Sequence, residues 1–166
     1  MNSKSSSIQR NISLIILAIL VIFSGYLRDT IFKSMNALLR AWDQDQDYYL
    51  PSFLSFLQDY EYTTVENLKW LLTVLFSIIY LFFSILIIRL LFNEKKYLKI
   101  VVFTYLGILI LSGLFIFTGF LFSNTSQTMY EFARYLMGMA QSPIILMILI
   151  PTFKLSEKEK PKTSST

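Results

Sequence analysis

Two pairs of charged side chains flank apolar runs where chemistry could use them: Arg28 with Asp29 after the first run, and Glu131 with Arg134 before the last. Helix packing that joined the pairs would make an ion-paired cluster at one membrane boundary, and a carboxylate in it would be the general base that a lipid-modifying reaction needs. Serine catalysis lacks its partner, because the chain has no histidine and its lysines stand at the ends of the apolar runs. The absence of cysteine excludes disulfides, thiolate metal sites and cysteine nucleophiles. Asp43, Asp45 and Asp47 open like a calcium-binding EF-hand loop, but Tyr48 stands where that loop needs glycine and Leu54 where it needs glutamate. They read as a solvated acidic turn. No metal or cofactor is expected, and neither a phosphate-cradling glycine loop nor a nucleic-acid motif is present.

A second set of residues is suited to contact rather than catalysis. In Arg134-Tyr-Leu-Met-Gly-Met-Ala-Gln-Ser-Pro143, Gly138 and Ser142 are four apart and permit close helix approach. Gln141 can hydrogen-bond across helices, and Pro143 frees a carbonyl and bends its helix. Gly138, Gln141, Ser142 and Pro143 therefore mark a face for internal packing or for a partner, with Gly107, Ser112, Gly113 and Gly119 as a complementary surface.

The elements that position these residues are apolar helices. Of 166 residues, 54% are hydrophobic and only 16% charged, against roughly a quarter charged in soluble domains. Apolar runs over 12–27, 68–92, 98–122 and 135–153 predict an all-α, polytopic membrane protein with four transmembrane helices in a single domain, 1–155, followed by a disordered cytoplasmic tail, 156–166. The first run reads as an uncleaved anchor, since no small-x-small cleavage pattern follows it. The second and third are joined too briefly for anything but an antiparallel hairpin.

The connection 28–67 is too long for a simple loop and too apolar for a disordered one. Ile31, Met35, Leu38 and Trp42 recur at helical spacing, which fits a helix lying in the membrane interface, a helix packed on its neighbours, or both. Pro51 is placed to start a second short interfacial helix over 52–60, and Thr63 with Glu66 has the spacing of a capping box that would open the next long helix. Tyr48, Tyr49, Tyr60, Tyr62 and Trp70 crowd the same boundary, as aromatic anchors do.

Basic residues orient the spans. Ten of the fifteen (Lys4, Arg10, Arg89, Lys95, Lys96, Lys99, Lys154, Lys158, Lys160, Lys162) fall on the side of the termini, and five (Arg28, Lys33, Arg40, Lys69, Arg134) on the other. Both termini are thus expected in the cytoplasm of a bacterium, with the chain in its inner membrane and 28–67 outside.

Gly25-Tyr-Leu-Arg-Asp29, Leu50-Pro-Ser-Phe-Leu-Ser-Phe-Leu57, Asn67-Leu-Lys-Trp70, Met137-Gly-Met-Ala-Gln-Ser-Pro143 and Leu149-Ile-Pro-Thr-Phe-Lys154 together resemble the small membrane proteins that accompany exosortases of the X and F types in Bacteroidota-type bacteria. The resemblance spans most of 20–155. It implies association with a membrane-embedded, cysteine transpeptidase-like enzyme that processes proteins bearing a C-terminal sorting signal. Lacking cysteine and histidine, this chain is not that enzyme. The expected function is a non-catalytic accessory subunit of such a system, in contact with membrane lipids and using the fourth helix and outer loop toward the enzyme or its substrate. A small transporter or channel-like protein, and a lipid-modifying enzyme at the outer boundary, are the rivals.

Overall fold

The computed structural model describes residues 2–92, 94–122 and 126–158, the side chains of 2–6 and 126 excepted. They form five α-helices, α1 (Asn2–Asp43), α2 (Tyr62–Leu91), α3 (Lys95–Leu121), α4 (Ser126–Ala140) and α5 (Ile144–Lys158), with a 3-10 helix, Ser52–Asp59, between α1 and α2. There is no strand among the described residues. α1, α2 and α3 are each long and apolar enough to cross a membrane, and α4 with α5 passes the same test as one span broken by 61°. Their apolar surface faces outward. Only 6% of the most apolar stretch of α1 is buried and 17% of that of α3. Ile15, Ile19, Ile22, Val74, Ile78, Phe82, Phe103, Ile110 and Phe117 stand exposed, a girdle that a water-soluble monomer does not carry.

The interior is correspondingly mixed. Tyr80, Tyr97 and Tyr105 are its largest fully buried side chains, packed with Val21, Ile88, Val101, Leu146 and Phe153. Buried hydroxyls favour partners; that of Tyr97 has none among the described residues, and the other two are satisfied. Tyr80 donates to the Val21 carbonyl at 3.3 Å, and Tyr105 shares a 2.9 Å hydrogen bond with Ser84. Gly25 allows the first of these contacts, since a Cβ at that position would lie 3.0 Å from the Tyr80 hydroxyl. At the end of the bundle away from the α1–α2 connection, Phe92, Tyr97 and Phe153 close the core ring against ring, with centroids 4.5 to 5.7 Å apart.

Three sequence expectations change here. The stripe Ile31, Met35, Leu38, Trp42 does not belong to a separate helix. α1 runs unbroken through it, about 63 Å at 1.5 Å per residue, roughly twice a hydrocarbon core. No proline interrupts Asn2–Asp43, and the stripe finds its own partners: Met35, Leu38 and Leu39 bury against Leu54 and Leu57 of the 3-10 helix and Val65 of α2. The connection is thus a second, smaller core at what we call the loop end. Phe53 and Phe56 alternate with Leu54 and Leu57 and remain exposed. The capping box does not form either. α2 opens at Tyr62 with Glu61 as N-cap and no side-chain cap, because Tyr62 packs on Trp42 and Val65 is drawn into the small core, which sets the N-cap two residues before Thr63. The tail is helical through Lys158, and the remainder of the disorder expected over 156–166 lies outside the described residues.

α1 ends in a defined way. Asp45 takes the left-handed conformation with φ 53°, Gln46 N–H bonds to the Ala41 carbonyl at 2.8 Å and Asp45 N–H to that of Trp42 at 3.3 Å, a Schellman termination. The acidic repeat therefore ends a helix, and all three of its carboxylates are exposed.

Because Leu57 is fully enclosed while its neighbours are not, Leu57→Ala should loosen the loop end by about 2–5 kcal/mol. Hydrogen exchange over 44–61 should rise while that over α3 stays constant; equal acceleration in both would mean that the two cores are not separate.

Candidate functional site

Between the bundle core and the small core the packing opens into a cavity of about 240 Å³. Its position follows from the register of the helices. On α1 it lies between Val21, which belongs to the larger core, and Leu38, which belongs to the smaller; on α2 it lies between Val65 and Tyr80. α4 supplies the third wall, held to α3 where the buried Ser112 hydroxyl donates to the Ala133 carbonyl at 2.9 Å.

The floor is one buried amide. Gln141 Oε1 accepts from Arg28 Nε at 3.1 Å, and its Nε2 donates to the Thr73 carbonyl at 3.1 Å, so a single side chain joins α4 to α1 and α2. The Thr73 carbonyl is exposed to this bond by position, at the level where Thr73 and Ser77 each turn their hydroxyls back to carbonyls one turn earlier in α2. Arg28 also lies over the Phe32 ring at 5.3 Å. Its guanidinium is thus fixed by an amide, an aromatic face and the adjacent carboxylate of Asp29 at 3.2 Å.

Four cations line this cavity, Arg28, Lys33, Lys69 and Arg134, and one carboxylate, Asp29. Asp29 is shared between Arg28 and Lys33, at 3.2 Å each. Lys69 and Arg134 have no ion-pair partner among the described residues. The half-buried Lys69 is desolvated by burial first of all, and beyond that feels repulsion from Arg134 and Arg40 and attraction from Glu66, the Arg134 contribution being the largest of the three. Asn36 and Tyr130 add neutral polar groups to the wall, and Trp70, which meets the Tyr130 ring edge-on at 6.4 Å, stands at its rim. An arrangement of this kind attracts a negative charge and has none of its own to offer in excess.

Of the residues that the sequence singled out, Arg28, Asp29, Arg134, Gly138 and Gln141 meet in this cavity. Glu131 is exposed and outside its lining, so Asp29 and Glu131 do not form the paired carboxylates that the enzyme reading needs. Gly138 is not a packing glycine: a Cβ there would touch nothing within 4 Å, because it faces the cavity. Gly107 and Gly113 are equally open, and the α3–α4 contact instead uses Ser112 and Ala133. Ser142 and Pro143 occupy the break between α4 and α5. There the Ser142 hydroxyl donates to the Met139 carbonyl at 2.9 Å and Pro143, with no N–H to bond backward, precedes the first turn of α5. Lys33, Asn36, Lys69 and Tyr130 were not singled out as site residues. Their signal was present in the tally of basic residues on that side, of which four in five line the cavity. Among the described residues no group of three or more carboxylates is placed to hold a metal ion, Asp43, Asp45 and Asp47 included.

Comparison with family models, with curated proteins and with solved structures found no match to this chain. The resemblance to exosortase-associated proteins therefore rests on the residues quoted for it.

Replacing Gln141 by Leu would strand the half-buried Arg28 Nε–H, while the Thr73 carbonyl keeps its bond from the Ser77 hydroxyl, at a cost of about 1–3 kcal/mol. Gly138→Ala should leave stability unchanged or raise it by about 0.5–1 kcal/mol. Thermal unfolding of the two variants in detergent separates them, and a Gly138→Ala loss as large as that of Gln141→Leu would show that Gly138 is packed after all.

Proposed function

We propose that this chain is a polytopic inner-membrane protein, with its termini in the cytoplasm and the loop end outside, acting as a non-catalytic accessory subunit that receives an anionic group at the membrane boundary. The observation that carries the reading is the loop-end cavity with four cations and one carboxylate, of which Lys69 and Arg134 are unpaired among the described residues. Asp29, the carboxylate available there, is ion-paired to both Arg28 and Lys33, and Glu131 lies outside the lining, so among the described residues no second carboxylate stands beside it. That supports recognition over catalysis. A transport pathway is disfavoured by what lies beyond the floor, where Tyr80, Ile88, Tyr105 and Ala140 are packed at 1% exposure or less. The exposed apolar girdle supports lipid contact, and the basic residues around Arg10, Arg89, Lys95, Lys99 and Lys154 support the orientation. The exosortase-like enzyme implied by the sequence resemblance is the partner we assign, with the cavity receiving an acidic part of the enzyme's substrate or surroundings.

The experiment is recovery of partners from native membranes with a tagged, detergent-solubilised chain. A membrane-embedded cysteine transpeptidase-like enzyme should accompany the wild type and be lost, by tenfold or more in yield, from a Lys69→Glu/Arg134→Glu variant that unfolds at the wild-type temperature. Recovery of no partner after mild crosslinking would overturn the accessory role. Since the chain has no cysteine, a single Asp59→Cys substitution tests orientation: a membrane-impermeant maleimide should label it in intact cells, stripped of their outer barrier, and failure to label would invert the topology.

A further inference from the structure

The cationic cavity has a neighbour that indicates where its anion comes from. A second hollow, of about 350 Å³, is formed by Ile116, Gly119 and Phe120 of α3 with Gln127 and Tyr130 of α4, and it shares Ile116 and Tyr130 with the first. Apart from Gln127 and the Tyr130 hydroxyl its wall is hydrocarbon and ring. It continues into the exposed face of α3, where Leu114, Phe117 and Phe120 belong to the girdle. A polar, positively charged chamber thus opens onto an apolar groove at the level where apolar helix surface begins.

The charges around the chamber are sorted. Eight carboxylates and five cations stand at the loop end, yet four cations and one carboxylate face the cavity. Asp43, Asp45, Asp47, Asp59, Glu61, Glu66 and Glu131 are all exposed on the surrounding surface. A free anion approaching through water meets those exposed carboxylates, whose charge acts over about one screening length, some 8 Å at physiological salt. An anion carried by a molecule already in the apolar layer does not.

From this juxtaposition we infer that the site binds a lipid phosphate, its doubly charged phosphate head held by Lys69 and Arg134 and its hydrocarbon chain laid in the groove between α3 and α4. The inference rests on the anion-receiving reading above and names the ligand class. Two free cations match a dianionic phosphate better than a carboxylate, which would leave one of them uncompensated. Arg134 offers a planar fork of donors that phosphate oxygens accept, and Lys69 a point charge. Asn36 and the Tyr130 hydroxyl are available to the remaining oxygens.

The test uses the full chain in zwitterionic detergent, with native mass spectrometry against dioleoyl phosphatidic acid, phosphatidylglycerol and phosphatidylcholine, and thermal unfolding with inorganic phosphate. Phosphatidic acid should be retained about tenfold or more over phosphatidylcholine, with phosphatidylglycerol between them. Lys69→Gln/Arg134→Gln should abolish the preference and Arg134→Lys keep most of it. Ile116→Trp, filling the groove, should weaken the lipid without altering the response to inorganic phosphate. Should the double variant fail to fold, Gly138→Leu carries the same test, because its side chain enters the chamber from a position with open space around it. No preference for phosphatidic acid in a chain that unfolds as expected would overturn the inference. If inorganic phosphate or an acidic peptide then protects the chain, the anion-receiving reading stands without the lipid; if no anion does, both fall together.

Discussion

One buried amide holds the loop end in shape. Gln141 directly follows α4, its N–H closing the last turn on the Met137 carbonyl, and its two side-chain hydrogen bonds reach Arg28 on α1 and the Thr73 carbonyl on α2. In hydrocarbon surroundings, where a stranded donor has no water to turn to, such bonds specify geometry more than they add stability. Here they fix the separation of three helices at one level. Without Gln141 the Arg28 Nε–H would have to find another acceptor or admit water, while the Thr73 carbonyl would retain the Ser77 hydroxyl. The break after Gln141 follows from the same place in the chain: Pro143 cannot continue the ladder, and α5 departs at 61°, carrying Ile145, Leu146, Leu149 and Phe153 into the core below.

The two cores divide the labour along the long axis. The larger one is closed by Tyr80 and Tyr105, whose hydroxyls are satisfied internally, and by the ring cluster at the far end. The smaller is built from the part of α1 that extends beyond the apolar girdle. Because α1 is continuous, Arg28, Asp29, Phe32, Lys33 and Asn36 are presented from one rigid rod, with Lys33 one turn from Asp29 and able to share it with Arg28. A flexible connection at residue 28 would have left those side chains without a common frame.

The helices were legible in the sequence because hydropathy over twenty-odd residues overwhelms local detail. The second and third expected spans, 68–92 and 98–122, begin inside α2 and α3 and each overruns the helix's C-terminal end by a single residue. The interruption of the fourth at Gln141, Ser142 and Pro143 was visible for the same chemical reasons that break it. What periodicity did not reveal was continuity: a helical stripe over 31–42 has the same spacing whether the helix begins anew at the interface or simply does not stop at Leu27. Nor does spacing reveal what faces a glycine. Gly138 has the register of a close contact, but only its neighbours in space determine that it opens onto a cavity. Lys69 and Arg134, 65 positions apart by chain number, meet through packing of α2 on α4, and a tally of charges per side carries no record of which of them face one another.

That those two cations have no ion-pair partner among the described residues is itself informative. The loop end has seven carboxylates besides Asp29, and α2 places one of them, Glu66, one turn before Lys69, near enough to attract it but outside the cavity. A carboxylate at Thr73, Met137 or Asn36, all on the cavity wall, would neutralise the site directly. Like charges held near one another at the edge of an apolar layer oppose folding, the more so as water is excluded. Local rules are broken in this way where a site serves something other than its own stability. Among the described residues the other carboxylates at this end are exposed outside the cavity lining, so Lys69 and Arg134 line it without an ion-pair partner.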